Sequence, residues 1–326
     1  MNEKNEQGKQ VKEVTYKELN FEYNVVGSDE TGKSETFKEI IVVAAYVRPG
    51  KEHMDALLKL NVNDSKKMVN KDSKDPQNRL NEVGEELSNI GENSPTIKSY
   101  SDLKKKLKTG DGVWVETTDH LIYCVTVYSN EKYNGEKKSK DVNTQLTDLH
   151  LKVIQELLKH IEIDDKTYIV VDDFFSESGE GNKKRSEEGN RKRLVGELND
   201  SGCSQIVSVT KADANVIAVS CASVISAYLQ NLHLKEIAKA DDRNLDYNDI
   251  FAGTISADIY EKVKEGKFSL EEQKALSEKP WKNERAAYYK SIEDFMKKLQ
   301  EKGNNVLAKF FDDYAKKPKK NSKGEK

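Results

Sequence analysis

The stretch VVGSDETGKSETFKEIIVVAAYV, residues 25–47, decides the fold because it supports two incompatible readings. By pattern, Gly27 to Ser34 is G-x-x-x-x-G-K-S, a match to the phosphate-binding loop of nucleotide triphosphatases. By charge, it is an apolar run that ends in adjacent carboxylates, Asp29 and Glu30. A phosphate cradle needs a helix directly after the loop, because backbone N–H groups and a helix N-terminus enclose the anion. Residues 40–47, IIVVAAYV, are instead a β-branched run that reads as a strand. A carboxylate ~4 Å from a phosphate also costs on the order of 4 kcal/mol at an effective dielectric of 20. The triphosphatase alternative on Gly27–Ser34 keeps the pattern and one further feature, the acid-ended run YIVVDD at 168–173.

The rest of the chain bounds the answer. Its 326 residues suffice for one large domain or two modest ones. Hydrophobic residues make up 36% and charged residues 34%, so a sizeable core sits under a very polar surface. The net charge is only −3, from 54 basic and 57 acidic residues, and no global field points to nucleic acid; local clusters matter more. Cys124, Cys203 and Cys221 are far apart with no C-x-x-C, which argues against a disulfide framework or zinc site and fits a reducing cytoplasm. The polar start, MNEKNEQGKQVKE, leads us to expect no signal peptide, and no apolar run is expected to reach the ~18 residues of a membrane span.

Periodicity organises the chain into a flexible leader (1–21), an α/β domain (22–239), a helical C-terminal extension (240–314) and a basic disordered tail (315–326). Strands are expected at 22–30 and 39–47, one or two more within 114–129, then at 167–175 and 206–210. Residues 144–161 carry apolar side chains at helical spacing, and 214–239 read as a long helix rich in small residues. Residues 176–194, SESGEGNKKRSEEGNRKRL, read as a mobile charged loop.

Strand ends are where an α/β sheet gathers a site, and acids stand at three of them. Asp29 and Glu30 end one strand, Asp172 and Asp173 another, and Asp213 follows a third. Converging carboxylates repel and raise one another's pKa values. Hard divalent cations relieve that, and oxygen ligands suit Mg²⁺ or Mn²⁺. Neighbours on a strand face opposite ways, so Asp29 and Glu30 share a site only if the backbone turns there, which Gly27 and Gly32 would permit. Asp172 and Asp173 remain alternatives for one place.

In five ordered segments over about residues 22–235 the chain resembles the type 2 ribonucleases H, and within them ribonuclease HIII. GSDETGKSETFKEIIVVAAYV (27–47) is similar to the family's G-x-D-E-x-G-x-G opening, and Asp64-Ser65-Lys66-Lys67 to its D-S-K-K element. SNEKYN (129–134) resembles N-x-K-Y-N, YIVVDDF the strand with the third acid, and TKADANVIAVSCASVISAY (210–228) the K-A-acid segment and its small-residue helix. The resemblance implies a ribonuclease H-like fold, a mixed five-stranded sheet flanked by helices. It implies a two-metal (Mg²⁺ or Mn²⁺) endonuclease that hydrolyses the RNA strand of RNA–DNA hybrids, leaving 5′-phosphate and 3′-hydroxyl ends. Asp29, Glu30, Asp172 and Asp213 would be its catalytic metal ligands. Gly32, Lys33, Ser34, Ser65, Lys66, Lys67, Asn130, Lys132, Tyr133, Asn134, Lys211 and Ser223 would contact the hybrid. A monomer without membrane association or an obligate protein partner is expected.

Three positions depart from the family pattern. Ser34 stands for a glycine, Lys38-Glu39 for Gly-Pro, and Ala227 for an arginine. They motivate a second alternative, a nucleic-acid-binding module of the same fold with weakened catalysis. Plainer readings exist as well. Asp213 is well placed as a helix N-cap, His150 and His160 read as structural or exposed, and the lysine-rich runs as solvated charge.

Overall fold

The structure, a computed structural model, describes residues 15–33, 39–69, 77–89, 97–107, 112–129, 132–133, 136, 140–174 and 182–240. The described residues form two compact units. One draws on Met1–Thr31, Ile41–Val127 and Val142–Leu229, the other on Gly32–Ile40, Tyr128–Asp141 and Gln230–Lys326. The expected extension at 240–314 and the tail at 315–326 lie outside the described residues, apart from Ala240.

One mixed sheet carries β1 (Asn24–Thr31), β2 (Ile40–Val47), β3 (Trp114–Thr117), β4 (Leu121–Tyr128), β5 (Thr167–Asp172) and β6 (Gln205–Val209), in the order β3-β4-β2-β1-β5-β6. It has six strands, one more than the five expected. The extra strand arises because Thr118 closes a tight turn inside 114–129: its N–H donates to Leu121 O at 2.8 Å, and its hydroxyl accepts from Leu121 N at 3.0 Å. All eight residues of β2 and of β4 are buried, as unbroken apolar strands require. β1 pairs antiparallel with β2, while β1, β5 and β6 run parallel. Parallel strands end at the same edge, so the acids that finish β1 and β5, and the segment after β6, arrive together.

Helices α1 (Tyr16–Glu22), α2 (Lys51–Lys59), α3 (Asn78–Asn89), α4 (Tyr100–Lys106), α5 (Val142–Leu158), α6 (Asn182–Asp200) and α7 (Ile217–Ala240) accompany the sheet. The leader expected over 1–21 ends in a helix. Tyr16–Glu22 forms α1, Leu19 is buried, and Asn20 bonds Asn215 O and Ile217 N, both at 2.9 Å, fixing the start of α7. The mobile loop expected over 176–194 is largely α6. Its buried face was hidden because it mixes Leu194 and Leu198 with polar Glu187 and Asn190. Those two bond Asn143 at 3.3 Å and Thr144 at 3.1 Å on α5.

Helix α7 lies on β1 at Gly27. A Cβ at that glycine would fall 2.2 Å from Val219 N, so only a hydrogen fits. Within α7, Ile217–Glu236 is long and apolar enough to cross a membrane, but 94% of it is buried inside the protein. Cys124, Cys203 and Cys221 are all free and buried.

Candidate functional site

β1 runs through to Thr31 without turning between Asp29 and Glu30, contrary to the expectation of a turn there. Their side chains therefore leave on opposite faces. Asp29, 6% exposed, sits with Gly27 on the α7 side, where Ser223 donates to it and Glu30 N bonds its Oδ1 at 2.7 Å. Glu30 sits with Ser28 on the α5 side, its Oε2 3.3 Å from His150 Nε2. The phosphate-cradle alternative fails on the same geometry. Gly27 to Thr31 are paired strand, with Gly27 opposite Ala45 and Val170, so those residues form no anion-binding loop. The turn comes at Gly32, at φ 86°, where a Cβ would meet Glu39 O at 2.2 Å.

β5 separates its two terminal acids. Asp172 accepts from Ala212 N at 2.8 Å and lies in the field of Glu30. Asp173 turns to Arg191, whose Nη2 reaches its two oxygens at 3.0 and 2.7 Å. Of the two, Asp172 is the acid in the field of another strand-end carboxylate. Asp213 is buried in the 3₁₀ turn Ala212–Ala214, which follows Lys211 in a left-handed conformation (φ 62°). It is no N-cap of α7, which starts at Ile217; its carbonyl accepts from Ser220 Oγ at 2.7 Å.

The electrostatics of these acids are those of an under-neutralised cluster. Burial, then the charges of Glu30 and Asp172, push Asp29 well above the usual carboxylate range. Burial also raises Asp172, with Glu30 adding to it against the Ala212 amide. Asp213 is pushed up to about 6 by burial, then by Asp172 and Asp64. Lys66 answers from the 3₁₀ turn Ser65–Met68. Partial burial works to lower its pKa, but Asp29, Asp64, Asp213 and Asp172 outweigh that and raise it. Ser65 Oγ lies 3.1 Å from Ser223 Oγ, joining that turn to the helix that bonds Asp29.

Among the described residues no three His, Cys, Asp or Glu side chains close into a ready metal cage. The donor chemistry nevertheless fits a divalent cation: hard carboxylate oxygens from three segments that raise one another's pKa values. Of the expected hybrid contacts, Ser65, Lys66, Lys67, Lys211 and Ser223 belong to the unit that holds these acids. Gly32, Lys33, Lys132 and Tyr133 belong to the second unit, where Tyr133 is buried, edge-on to Tyr128 at 6.2 Å. Ser34, Asn130 and Asn134, and Lys38 among the departures, lie outside the described residues. Ala227 is buried.

Two residues at the site were not singled out from sequence. Asp64, quoted only as part of a motif, is one of the acids that push Asp213 up. His150, read as structural or exposed, is fully buried between Ser28 and Glu30. The signal for it was present: 146, 150, 153 and 157 share one helical face, so a histidine at 150 had to be buried with the leucines.

The chain is similar to several known proteins. Ribonuclease HIII of Staphylococcus saprophyticus is 24% identical over 221 residues, 67% of this chain and 54% of that protein. Ribonuclease HIII of Staphylococcus aureus strain Newman is 24% identical over 219 residues, with the same coverage. The chain thus spans about half the length of the curated relatives it matches. Among solved structures, Bst-RNase HIII in complex with Mn²⁺ aligns at 20% identity and TM-score 0.46, over 72% of this chain and 61% of that one. Ribonuclease H2 of Pyrococcus horikoshii aligns at 15% identity and TM-score 0.46, over 83% and 98%. The family model for ribonuclease HII matches residues 26–283, most of the sequence, and the chain belongs to the ribonuclease HII family.

Proposed function

We propose that this protein is a metal-dependent endonuclease that hydrolyses the RNA strand of RNA–DNA hybrids and leaves 5′-phosphate and 3′-hydroxyl ends. The observation that carries the reading is the gathering of Asp29, Asp172 and Asp213 from three separate segments, each pushed up in pKa by burial and by a neighbouring carboxylate. A fold gains nothing in stability from such a cluster; a cation site does. Family membership supports the same conclusion.

In this reading Asp29, Glu30, Asp172 and Asp213 hold two Mg²⁺ or Mn²⁺ ions. Bound there, such ions activate the attacking water and stabilise the leaving oxygen of a phosphodiester. The chain's own residues do the rest. Ser223 and the Glu30 amide orient the Asp29 carboxylate, and the Ala212 amide orients Asp172. Lys66, held protonated by the surrounding acids, offers a cation to a backbone phosphate. Ser65, Lys67 and Lys211 add contacts that read backbone shape and 2′-hydroxyls rather than base edges, so cleavage is sequence-independent. Three free buried cysteines favour a reducing compartment, which we take to be the cytoplasm.

The test is a labelled RNA–DNA hybrid incubated with Mg²⁺ or Mn²⁺ and the full-length chain, beside the Asp29→Asn variant. Metal-dependent cutting of the RNA strand that the variant loses is the expected result. Tight binding without cutting would replace this reading with that of a binding module. Neither binding nor cutting would end it.

A further inference from the structure

His150 makes three defined contacts for a side chain with no exposed surface. Its Nδ1 is 2.7 Å from Ser28 Oγ, and its Nε2 is 3.3 Å from Glu30 Oε2. Its ring stacks on Phe174 with centroids 4.8 Å apart and planes 7° from parallel. Ser28 Oγ also lies 2.9 Å from Val43 O, which accepts and cannot donate.

The proton inventory is short. Ser28 has one hydroxyl hydrogen. If it goes to His150 Nδ1, the neutral ring carries its hydrogen on Nε2. If it goes to Val43 O, Nδ1 must donate to Ser28, and the Nε2 lone pair would face a carboxylate. The first arrangement is therefore the one that gives Glu30 Oε2 a donor, 3.3 Å away. A glutamate has three rotatable bonds, and Glu30 must reach from the α5 face of β1 toward acids that include Asp29 on the α7 face. The imidazole has no such freedom, being tied at Nδ1 and clamped by a ring two residues beyond Asp172.

We infer that His150 is a positioning residue: the Ser28–His150 pair fixes the Glu30 carboxylate, and Phe174 sets the imidazole in register with the strand that carries Asp172. The inference rests on the reading of Glu30 as a metal ligand. Groups that orient a ligand in this way typically govern metal affinity by about 10–100-fold.

The experiment measures Mn²⁺ binding to the metal-free, full-length protein by isothermal titration calorimetry, with circular dichroism as a check on folding. Hybrid-cleavage kcat and KM are measured in parallel. His150→Asn keeps an amide near Ser28 but withdraws the donor from Glu30, and should weaken Mn²⁺ binding about tenfold or more. His150→Gln places its amide nitrogen where Nε2 sits, and should stay within about threefold of the parent. Ser28→Ala changes little volume, and should weaken binding between those two. In kinetics the loss falls on kcat at saturating hybrid, with KM for the hybrid unchanged. A purely structural histidine would lower thermal stability in both His150 variants and leave Mn²⁺ affinity alone. Unchanged affinity in His150→Asn, with Glu30→Gln weakened, overturns the positioning role alone. Should His150→Asn not fold, unchanged affinity in Ser28→Ala overturns it equally. Unchanged affinity in Glu30→Gln removes both the inference and the ligand role of Glu30.

Discussion

Two neighbouring regions of the molecule treat carboxylates in opposite ways, and the border runs between Asp172 and Asp173. On the outer side, along α5 and α6, carboxylates meet guanidinium groups. Arg191 holds Asp173 at 2.7 Å, and Arg193 reaches Asp148 and Glu197, both at 2.6 Å. On the inner side Asp29, Glu30, Asp172 and Asp213 gather with Lys66 as the lysine that answers several of them. The chain can neutralise buried acids, and one residue away it does so. The unrelieved charge at the strand ends is therefore a cost that packing does not require, and it supports the proposed cation site.

The comparison breaks most visibly in a pair of neighbouring variants. Asp29→Asn and Asp172→Asn should each reduce hybrid cleavage by on the order of 10³-fold, about 4 kcal/mol of transition-state stabilisation, while leaving thermal stability equal or higher. Asp173→Asn should keep cleavage within a few-fold and lower the melting temperature instead. Steady-state cleavage and a thermal melt on all three check this. Equal loss of cleavage in Asp172→Asn and Asp173→Asn would erase the border.

A second change acts on the inner region through packing. Gly27→Ala forces a methyl into the backbone of α7 at Val219, and overpacking of this kind costs about 1–3 kcal/mol or more. The helix that bonds Asp29 through Ser223 should shift, and cleavage should fall together with stability. Chemical denaturation beside the cleavage assay tests this, and hydrogen exchange on α6 should show the outer region unaffected. A third change acts on the outer region alone. Arg191→Ala leaves Asp173, whose side chain is 7% exposed, without its guanidinium. The expected loss is about 1–2 kcal/mol in denaturation, with cleavage retained.

Much of this was legible in the sequence, and the gaps have physical causes. Strands that are buried on both faces announce themselves through composition, so β1, β2, β4 and β5 were readable from runs such as IIVVAAYV and YIVVD. The acids at strand ends were readable because parallel strands finish at one edge. What stayed hidden depended on pairing across the fold. Helix α6 buries Glu187 and Asn190, which look like surface residues until Asn143 and Thr144 are placed opposite them. Gly27 looked like a turn or a phosphate loop, but its missing side chain makes room for α7. His150 looked inert because its partners, Ser28 and Glu30, are more than a hundred residues away.

The smallest expected effect sharpens the comparison through pH. Asp213 titrates near 6 in the folded protein, against 3.8 as its ordinary value, because burial, Asp172 and Asp64 disfavour its charge. Between those values the folded state binds more protons than the unfolded one, so this carboxyl destabilises the fold progressively as pH rises from about 4 to about 6. Asp29, raised in the same sense, adds to the slope. One acid away from the site tilts the other way. Asp164, held down chiefly by the Thr167 hydroxyl, contributes stability that is lost as pH falls through its lowered value. Lys66 stays protonated across the whole window and adds no slope. The decisive quantity is therefore a difference. In chelator-treated protein, the melting temperature of the parent relative to Asp213→Asn should fall between pH 4 and pH 6 and stay constant above pH 7. Saturating Mn²⁺ should abolish the difference in slope by stabilising the ionised form in the parent. A parent and variant that track each other across the window would mean that the strand-end acids are as well neutralised as Asp173, and the contrast between the two regions would be lost.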